Sequence, residues 1–276
     1  MVIKSKNRRK AGGAKMSSGL TSERSKRSKG QSTLLVVIGI ISLGVFGIST
    51  WQIMKIFNQS SVEKAERLEI FSTLEMDNES QFYVIPYDEL LEKNPDFVSW
   101  IDIPNTSICY PVVYSPISND VYIRTSFNKT YAVSGSIFVD YRCNRYFSDR
   151  MTIIYGHRMN DNTMFAQLKS YLVQSFYEDH KEIHIYTPKG IEIYRVFSAY
   201  TADVTEDAID SCYTLEFDSD KDFISWGNEI KGKSAIRTTD TVASDSKVIL
   251  LSTCVWNQSD KRNVVLAVYS HTEPNP

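Results

Sequence analysis

The chain has 276 residues, 42% of them apolar, 23% charged and 12% aromatic, which excludes a disordered or fibrous protein and leaves room for one large domain or two small ones. The formal charge of −2 hides a division: ten Lys and Arg against the single acid Glu23 give residues 1–30 a charge of +9, so the rest of the chain carries −11.

Directly after the basic head, Gln31 to Met54 runs for 24 residues without a charge. At helical rise this stretch reaches about 36 Å, enough to cross a hydrocarbon layer of about 30 Å with some tilt. A cleaved leader would have a shorter apolar core and a small-x-small site, which Thr50-Trp51-Gln52-Ile53-Met54 lacks. The stretch therefore reads as an uncleaved anchor. Dense positive charge ahead of it keeps residues 1–30 cytoplasmic and sends residues 55–276 outside. Ten cations abutting a span are a topology signal rather than a nucleic-acid surface.

Beyond the anchor, Val62, Ala65, Leu68, Phe71 and Leu74 recur at helical spacing and predict a helix over residues 61–76. A second helix is expected over Tyr87–Lys93, stopped by Asn94-Pro95. The pattern then changes to short strands rich in β-branched and aromatic residues. These are Ile108–Tyr114, Ser136–Asp140, Met151–Tyr155, Ile183–Thr187, Ile191–Tyr200, Lys247–Cys254 and Asn263–Ser270. Thr187-Pro188-Lys189-Gly190 reads as a hairpin turn between two of them. Helices interrupt at Thr163–Leu172 and within Lys221–Lys231, the latter inside the long connection from Tyr200 to Lys247. About seven strands with few helices suggest a mainly β fold, a closed or nearly closed barrel with helices outside it.

All four cysteines (Cys109, Cys143, Cys212, Cys254) fall on the outer side, where two disulfides would be the plain reading. None forms a Cys-x-x-Cys pair, so no metal site and no cofactor are expected. Cys254 stands apart because it ends the apolar strand VILLSTC and opens into the polar loop Asn257–Arg262. A thiol nucleophile needs a proton-transfer partner and an oxyanion stabiliser. Of four histidines, His157 also ends an apolar strand, IIYGH, before a polar loop, and Arg262 offers a fixed cation eight residues after the thiol. Each has a plainer reading: a core cysteine, a structural histidine, a surface arginine.

At these residues the sequence resembles a sortase, a cysteine transpeptidase of Gram-positive cell surfaces, and most of all class B. Leu251-Ser252-Thr253-Cys254 is similar to the family's TLxTC strand, with Leu250 where that motif carries Thr, and Tyr155-Gly156-His157 with Asn160-Asp161 and Thr163-Met164-Phe165 is similar to the class B histidine segment. NPDFVSWI (Asn94–Ile101), YPVV (Tyr110–Val113), GSIFVD (Gly135–Asp140) and SFYEDHKEIHIYTP (Ser175–Pro188) extend the likeness over most of residues 85–270.

The resemblance implies a closed eight-stranded barrel with flanking helices behind a single transmembrane helix. Its divisions would be a basic tail 1–30, an anchor 31–54, a stalk 55–84 and a catalytic domain 85–276. Cys254 would be the nucleophile, His157 the general acid and base, and Arg262 the group that steadies substrate or oxyanion, with Asp140, Asp161 and Asn162 left open as a fourth member. The reaction implied is cleavage of a C-terminal sorting signal after Thr, through a thioester, and transfer to an amine of the lipid-linked cell-wall precursor. The partners would be secreted proteins carrying such a signal and the membrane itself, with no nucleic acid. A nucleophile that must stay reduced outside the cell implies at most one disulfide among Cys109, Cys143 and Cys212. Alternatives are a pilin polymerase that joins subunits through a Lys isopeptide, and a non-catalytic membrane-anchored barrel that binds without reacting. A cysteine L,D-transpeptidase fits less well, because Thr253 stands where that family has Gly and Trp256 where it has Arg.

Overall fold

The computed structural model describes residues 29–205 and 207–276, so most of the basic head lies outside the described residues. The chain divides into two units, Met1–Met54 and Lys55–Pro276. Helix α1 runs from Lys29 to Ser72 without interruption, where the sequence pattern suggested an anchor and a separate later helix. No Gly or Pro stands between Gly47 and Ser72, so nothing breaks the backbone ladder at the anchor's end. Its last carbonyls are taken up by Ser72 Oγ, which donates to Glu69 O, and Thr73 Oγ1, which donates to Ile70 O. This is the one helix among the described residues long and apolar enough to cross a membrane.

The second unit is a β-barrel. Its strands are β1 (Phe97–Asp102), β2 (Cys109–Tyr114), β3 (Ile137–Val139), β4 (Met151–Tyr155), β5 (Glu182–Thr187), β6 (Gly190–Thr205), β7 (Val248–Val255) and β8 (Gln258–Glu273). They hydrogen-bond in the order β8-β7-β4-β3-β2-β1-β5-β6, and β6 pairs back to β8, which closes the ring. Closure leaves no barrel edge and explains why β6 and β8 are each 16 residues long: each is needed to span the seam. β1 was not foreseen as a strand. Five of its six residues are buried, because one face fills the barrel and the other packs under helices, so the alternation that marks a half-exposed strand is missing. Helix α2 (Tyr87–Lys93) and helix α3 (Asp220–Gly232) occupy the expected places, while the stretch expected as helix over Thr163–Leu172 winds as a 3-10 turn over Ala166–Leu172.

Two apolar clusters hold the unit. The larger fills the barrel with Ile101, Ile153, Ile185, Leu251 and Val265. The smaller lies on the outer face of β1, β2 and β5, where Trp100, Val113 and Tyr186 meet Ile70, Ile85 and Leu90. The later part of α1 is tied to the connection between β2 and β3 by carboxylates. Glu63 accepts the backbone N–H groups of Val133 and Ser134, and Glu66 accepts that of Asn128.

Asp102 is only 7% exposed on that face, and burial pushes its carboxyl up to about 6. The folded chain thus holds this proton more tightly than the unfolded chain does. The associated stability is complete below the unfolded value near 3.9, and is lost as pH rises through about 6. Asp102→Asn is expected to stabilise the protein at pH 7.5 by roughly 2–3 kcal/mol, a gain that disappears near pH 4. Thermal melts of the detergent-solubilised chain at the two pH values would show it, and an equal effect at both would refute it.

Candidate active site

The rim of the barrel where β4 and β7 end collects the three residues singled out from sequence. β4 and β7 run parallel, with Ser252 opposite Tyr155, and Gly156 N extends the ladder by donating to Ser252 O at 3.2 Å. His157 follows the last paired residue of β4 by two positions, as Cys254 follows Ser252 on β7. β8 runs antiparallel on the other side of β7, and there Cys254 and Arg262 are direct partners. β7 and β8 thus carry a thiol and a guanidinium as cross-strand neighbours about 5 Å apart, and the chain leaving the end of the adjacent β4 carries the imidazole. The 97 residues between His157 and Cys254 are bridged by the parallel pairing alone.

Each side chain has its own support. Cys254 is exposed, and it is the last residue before the β7–β8 register shifts. The strands close around Trp256-Asn257, and Asn257 takes the left-handed turn conformation with φ 57°. The residues looped out by that shift are held by Arg262, whose Nη1 donates to Ser259 O at 2.7 Å and Lys261 O at 2.9 Å. The guanidinium therefore shapes the loop that follows the thiol. Trp256 is 62% exposed, and the Arg158 guanidinium lies 5.1 Å from its ring centre, which links the loop after His157 to the loop after Cys254.

His157 is half-buried, and its Nε2 lies 2.7 Å from Ile123 O. A carbonyl only accepts, so Nε2 carries the proton and Nδ1 is the nitrogen left to exchange one. Burial lowers the imidazole's pKa below its ordinary 6.5; the Ile123 bond opposes this, and the charge of Arg124 adds to it. The ring is therefore neutral at pH 7. Ile123 ends a one-turn helix that rests on Gly135, whose φ is +55° and where an added Cβ would come within 2.6 Å of Tyr122 O and closer still to Ile123 O. Gly156, next to the histidine, has no room either: a Cβ there would press on Ile137 and Phe165.

Of the acids and amides left open as a fourth member, none hydrogen-bonds His157. Asp140 is fully buried and serves as a hub that accepts from Arg142 through both oxygens, from Asn119 Nδ2 and from Tyr155 OH. Burial raises its pKa, but the Arg142 guanidinium and these bonds outweigh it and hold the group ionised. Asp161 accepts from Thr163, and Asn162 O accepts from Ser107. Sequence reasoning missed Tyr213, in the long β6–β7 connection, whose hydroxyl is 2.7 Å from Ser252 Oγ on β7. It also missed the Ile123 carbonyl. A backbone acceptor leaves no mark in a sequence, and a tyrosine in a 40-residue connection has no register to place it.

The other three cysteines are free thiols, with Cys143 and Cys212 buried and Cys109 half-buried. Among the described residues no group of His, Cys, Asp and Glu is arranged to hold a metal ion.

A family model described as the sortase domain matches residues 101–270. Sortase B of Staphylococcus aureus (strain NCTC 8325 / PS 47) is 33% identical over 245 residues, which is 87% of this chain and 97% of the relative. The chain belongs to the sortase family, class B. Sortase B of Listeria monocytogenes serovar 1/2a (strain ATCC BAA-679 / EGD-e) is 34% identical over 82% of this chain and 89% of the relative. A solved complex of Staphylococcus aureus sortase B with substrate superposes with a TM-score of 0.68 at 31% identity, over 78% of this chain and 99% of that one. Sortase B of Clostridium perfringens gives 0.62 at 30% identity, over 67% and 100%. The enzyme is thus a cysteine transpeptidase with the eight-stranded barrel of its class.

Proposed function

We propose that this transpeptidase cleaves a C-terminal sorting signal after Thr and joins the Thr to an amine of the cell-wall precursor. The Sγ of Cys254 attacks the Thr carbonyl. As the S–C bond forms, the thiol proton of Cys254 passes to Nδ1 of the neutral His157, which gives it to the leaving amine as the C–N bond breaks. The incoming amine then attacks the thioester, its proton passes to His157, and the S–C bond breaks to return the thiolate. Arg262 steadies the substrate or the oxyanion, helped by a backbone N–H. The observation that supports this reading is the register that makes Cys254 and Arg262 cross-strand partners on β7 and β8, with His157 two residues beyond the end of β4, the parallel neighbour of β7. Because Nε2 of His157 is committed to Ile123 O, the proton traffic belongs to Nδ1.

Residues 31–54 anchor the enzyme as a single span, the basic tail stays cytoplasmic, residues 55–84 form the stalk and residues 85–276 form the catalytic domain outside the cell. Anchoring places enzyme, membrane-retained substrate and lipid-linked acceptor on one surface, which raises their effective concentration. The test is to incubate the full chain in vesicles with NPxTN-like and LPxTG-like peptides and with glycine, peptidoglycan-stem and Lys-bearing pilin peptides as acceptors, then read products by mass spectrometry. Transfer to wall-type amines supports the reading. A Lys isopeptide as the sole product assigns pilin polymerisation instead, and no cleavage of any signal overturns both.

The support beneath His157 gives a second expectation. Gly135→Ala adds a Cβ at a positive φ and pushes on the carbonyls that hold the one-turn helix. It should cost about 1–3 kcal/mol of stability and lower kcat about 10- to 100-fold with KM little changed, since the imidazole is displaced while Cys254 and Arg262 are left in place. A kcat equal to wild type in folded protein would refute it.

A further inference from the structure

Between the later part of α1 and the outer face of β1, β2 and β5 lies a cavity of about 620 Å³ that the transpeptidation does not use. Its apolar walls include Ile70 and Phe71 of α1 and Met76 and Tyr83 of the short hairpin that follows. Its floor is different. Asp102 and His184 sit opposite each other across β1 and β5, both more than nine-tenths buried, beside Trp100 and Cys109.

The imidazole is left with an unpartnered nitrogen, and the carboxylate has no cationic residue of its own among the described residues. The only ion-pair contact of Asp102 among the described residues is with His184, whose Nδ1 is 4.0 Å from Asp102 Oδ2. That is too long for a hydrogen bond, and Nδ1 has no hydrogen-bond partner at all. The Cys109 thiol accepts from Trp100 Nε1 at 3.2 Å and is the one side-chain hydrogen-bond partner of Asp102 among the described residues, while Nε2 of His184 lies 3.7 Å from Glu182 Oε2. A buried carboxylate without a Lys or Arg, facing an imidazole nitrogen without a donor, lacks a cation that carries hydrogens.

The gap has the size for one. A single nitrogen about 2.8 Å from each acceptor would subtend about 90° across a 4.0 Å separation, near the tetrahedral spread of ammonium N–H bonds. Aromatic side chains of Trp100 and Tyr83 line the same space and favour a cation at their faces. We propose that this cavity binds a primary ammonium group carried on a short apolar stem, with the ammonium between Asp102 and His184 and the stem along Ile70, Phe71 and Met76. None of Cys254, His157 and Arg262 lines the site, and its ligand chemistry could be supplied by a lysine side chain or by a peptide N-terminus.

The experiment is ligand-observed saturation-transfer NMR on the full chain in micelles, with n-butylammonium as the probe and n-pentanol as its uncharged counterpart. Nα-acetyl-lysine amide and glycyl peptide amides serve as the arms that separate the two sources. The amine should bind saturably and at least about tenfold more tightly than the alcohol, and Asp102→Asn should remove that preference. Because the asparagine relieves a buried charge, loss of binding in that variant would not reflect a damaged fold, and His184→Gln gives a second reading of the same contact. Cys254→Ala should bind the amine as the wild type does, which separates this site from the reaction at the rim. Equal binding of alcohol and amine, amine binding that survives Asp102→Asn, or binding lost in Cys254→Ala would each overturn the proposal. The first of these would leave water as the group that bridges Asp102 and His184.

Discussion

Cys254→Ala is expected to reduce turnover of every sorting peptide to background, a loss of about 10⁴-fold or more, and to abolish the acyl adduct seen by intact mass. The size of the effect follows from what else the molecule could offer as a nucleophile. Burial raises the pKa of the Cys109, Cys143 and Cys212 thiols, that of Cys143 to about 11, so they are held protonated as well as hidden. None of them stands on the rim formed by the ends of β4 and β7. Ser252, two residues earlier on β7, is buried with its hydroxyl bonded to Tyr213. Water remains as the only attacking group, with no covalent intermediate to divide the barrier. Cys254→Ser should be nearly as inactive, because a hydroxyl is far less acidic than a thiol and His157, which accepts no support from a carboxylate, is too weak a base to ionise it. Cleavage by the alanine variant at even a tenth of the wild-type rate would remove Cys254 from the mechanism.

Why the thiol could be found from sequence at all lies in the parallel pair β4–β7. Both strands are apolar runs buried on two faces, MTIIY and VILLSTC, and both end abruptly in polar loops. A buried run ending in a polar loop marks a rim, and two such rims with complementary chemistry are a recognisable signature even when 97 residues separate them. Arg262 was harder to place, since β8 extends four residues before it to Gln258 and the sequence there reads as loop. Asn257 and the bulge allow strand pairing to resume in a polar stretch, which alternation does not reveal. β1 escaped notice for the opposite reason: with both faces covered it shows no alternation. The continuous α1 shows a third kind of failure. A pattern of apolar residues locates a buried face, but a Gly or a Pro is what breaks a helix, and neither occurs between Met54 and Ser61, where the cap-type residues Asn58 and Ser60 stay within the helix. The Asp102–His184 pair was invisible for a simpler reason. Its two members are 82 residues apart, and only the β1–β5 register brings them together.

His157→Ala is expected to lower kcat/KM about 10³-fold, the span usual for a lost general acid and base, while leaving the Cys254 thiol available to alkylating reagents. The sharper test is the pH profile. Burial, reinforced by Arg124, disfavours the imidazolium, so the acid limb of kcat/KM lies below pH 6.5. This position does not depend on which protonation state of the Cys254–His157 pair attacks. The product of the two required fractions rises with pH until the lower pKa is passed, whether the reactive pair is thiol with imidazole or thiolate with imidazolium. Arg124→Gln removes a nearby positive charge, which makes protonation of His157 easier and must raise its pKa. The acid limb should therefore move toward higher pH, and less in high salt than in low. Stability follows the same sign. Below pH 6.5 the unfolded chain takes up a proton that folded His157 resists, so folding weakens as pH falls through that window and is indifferent to this group above it. His157→Gln should flatten that part of the stability curve. An acid limb that stays fixed in Arg124→Gln, or moves to lower pH, would separate the limb from His157 and leave the proton transfer to another group.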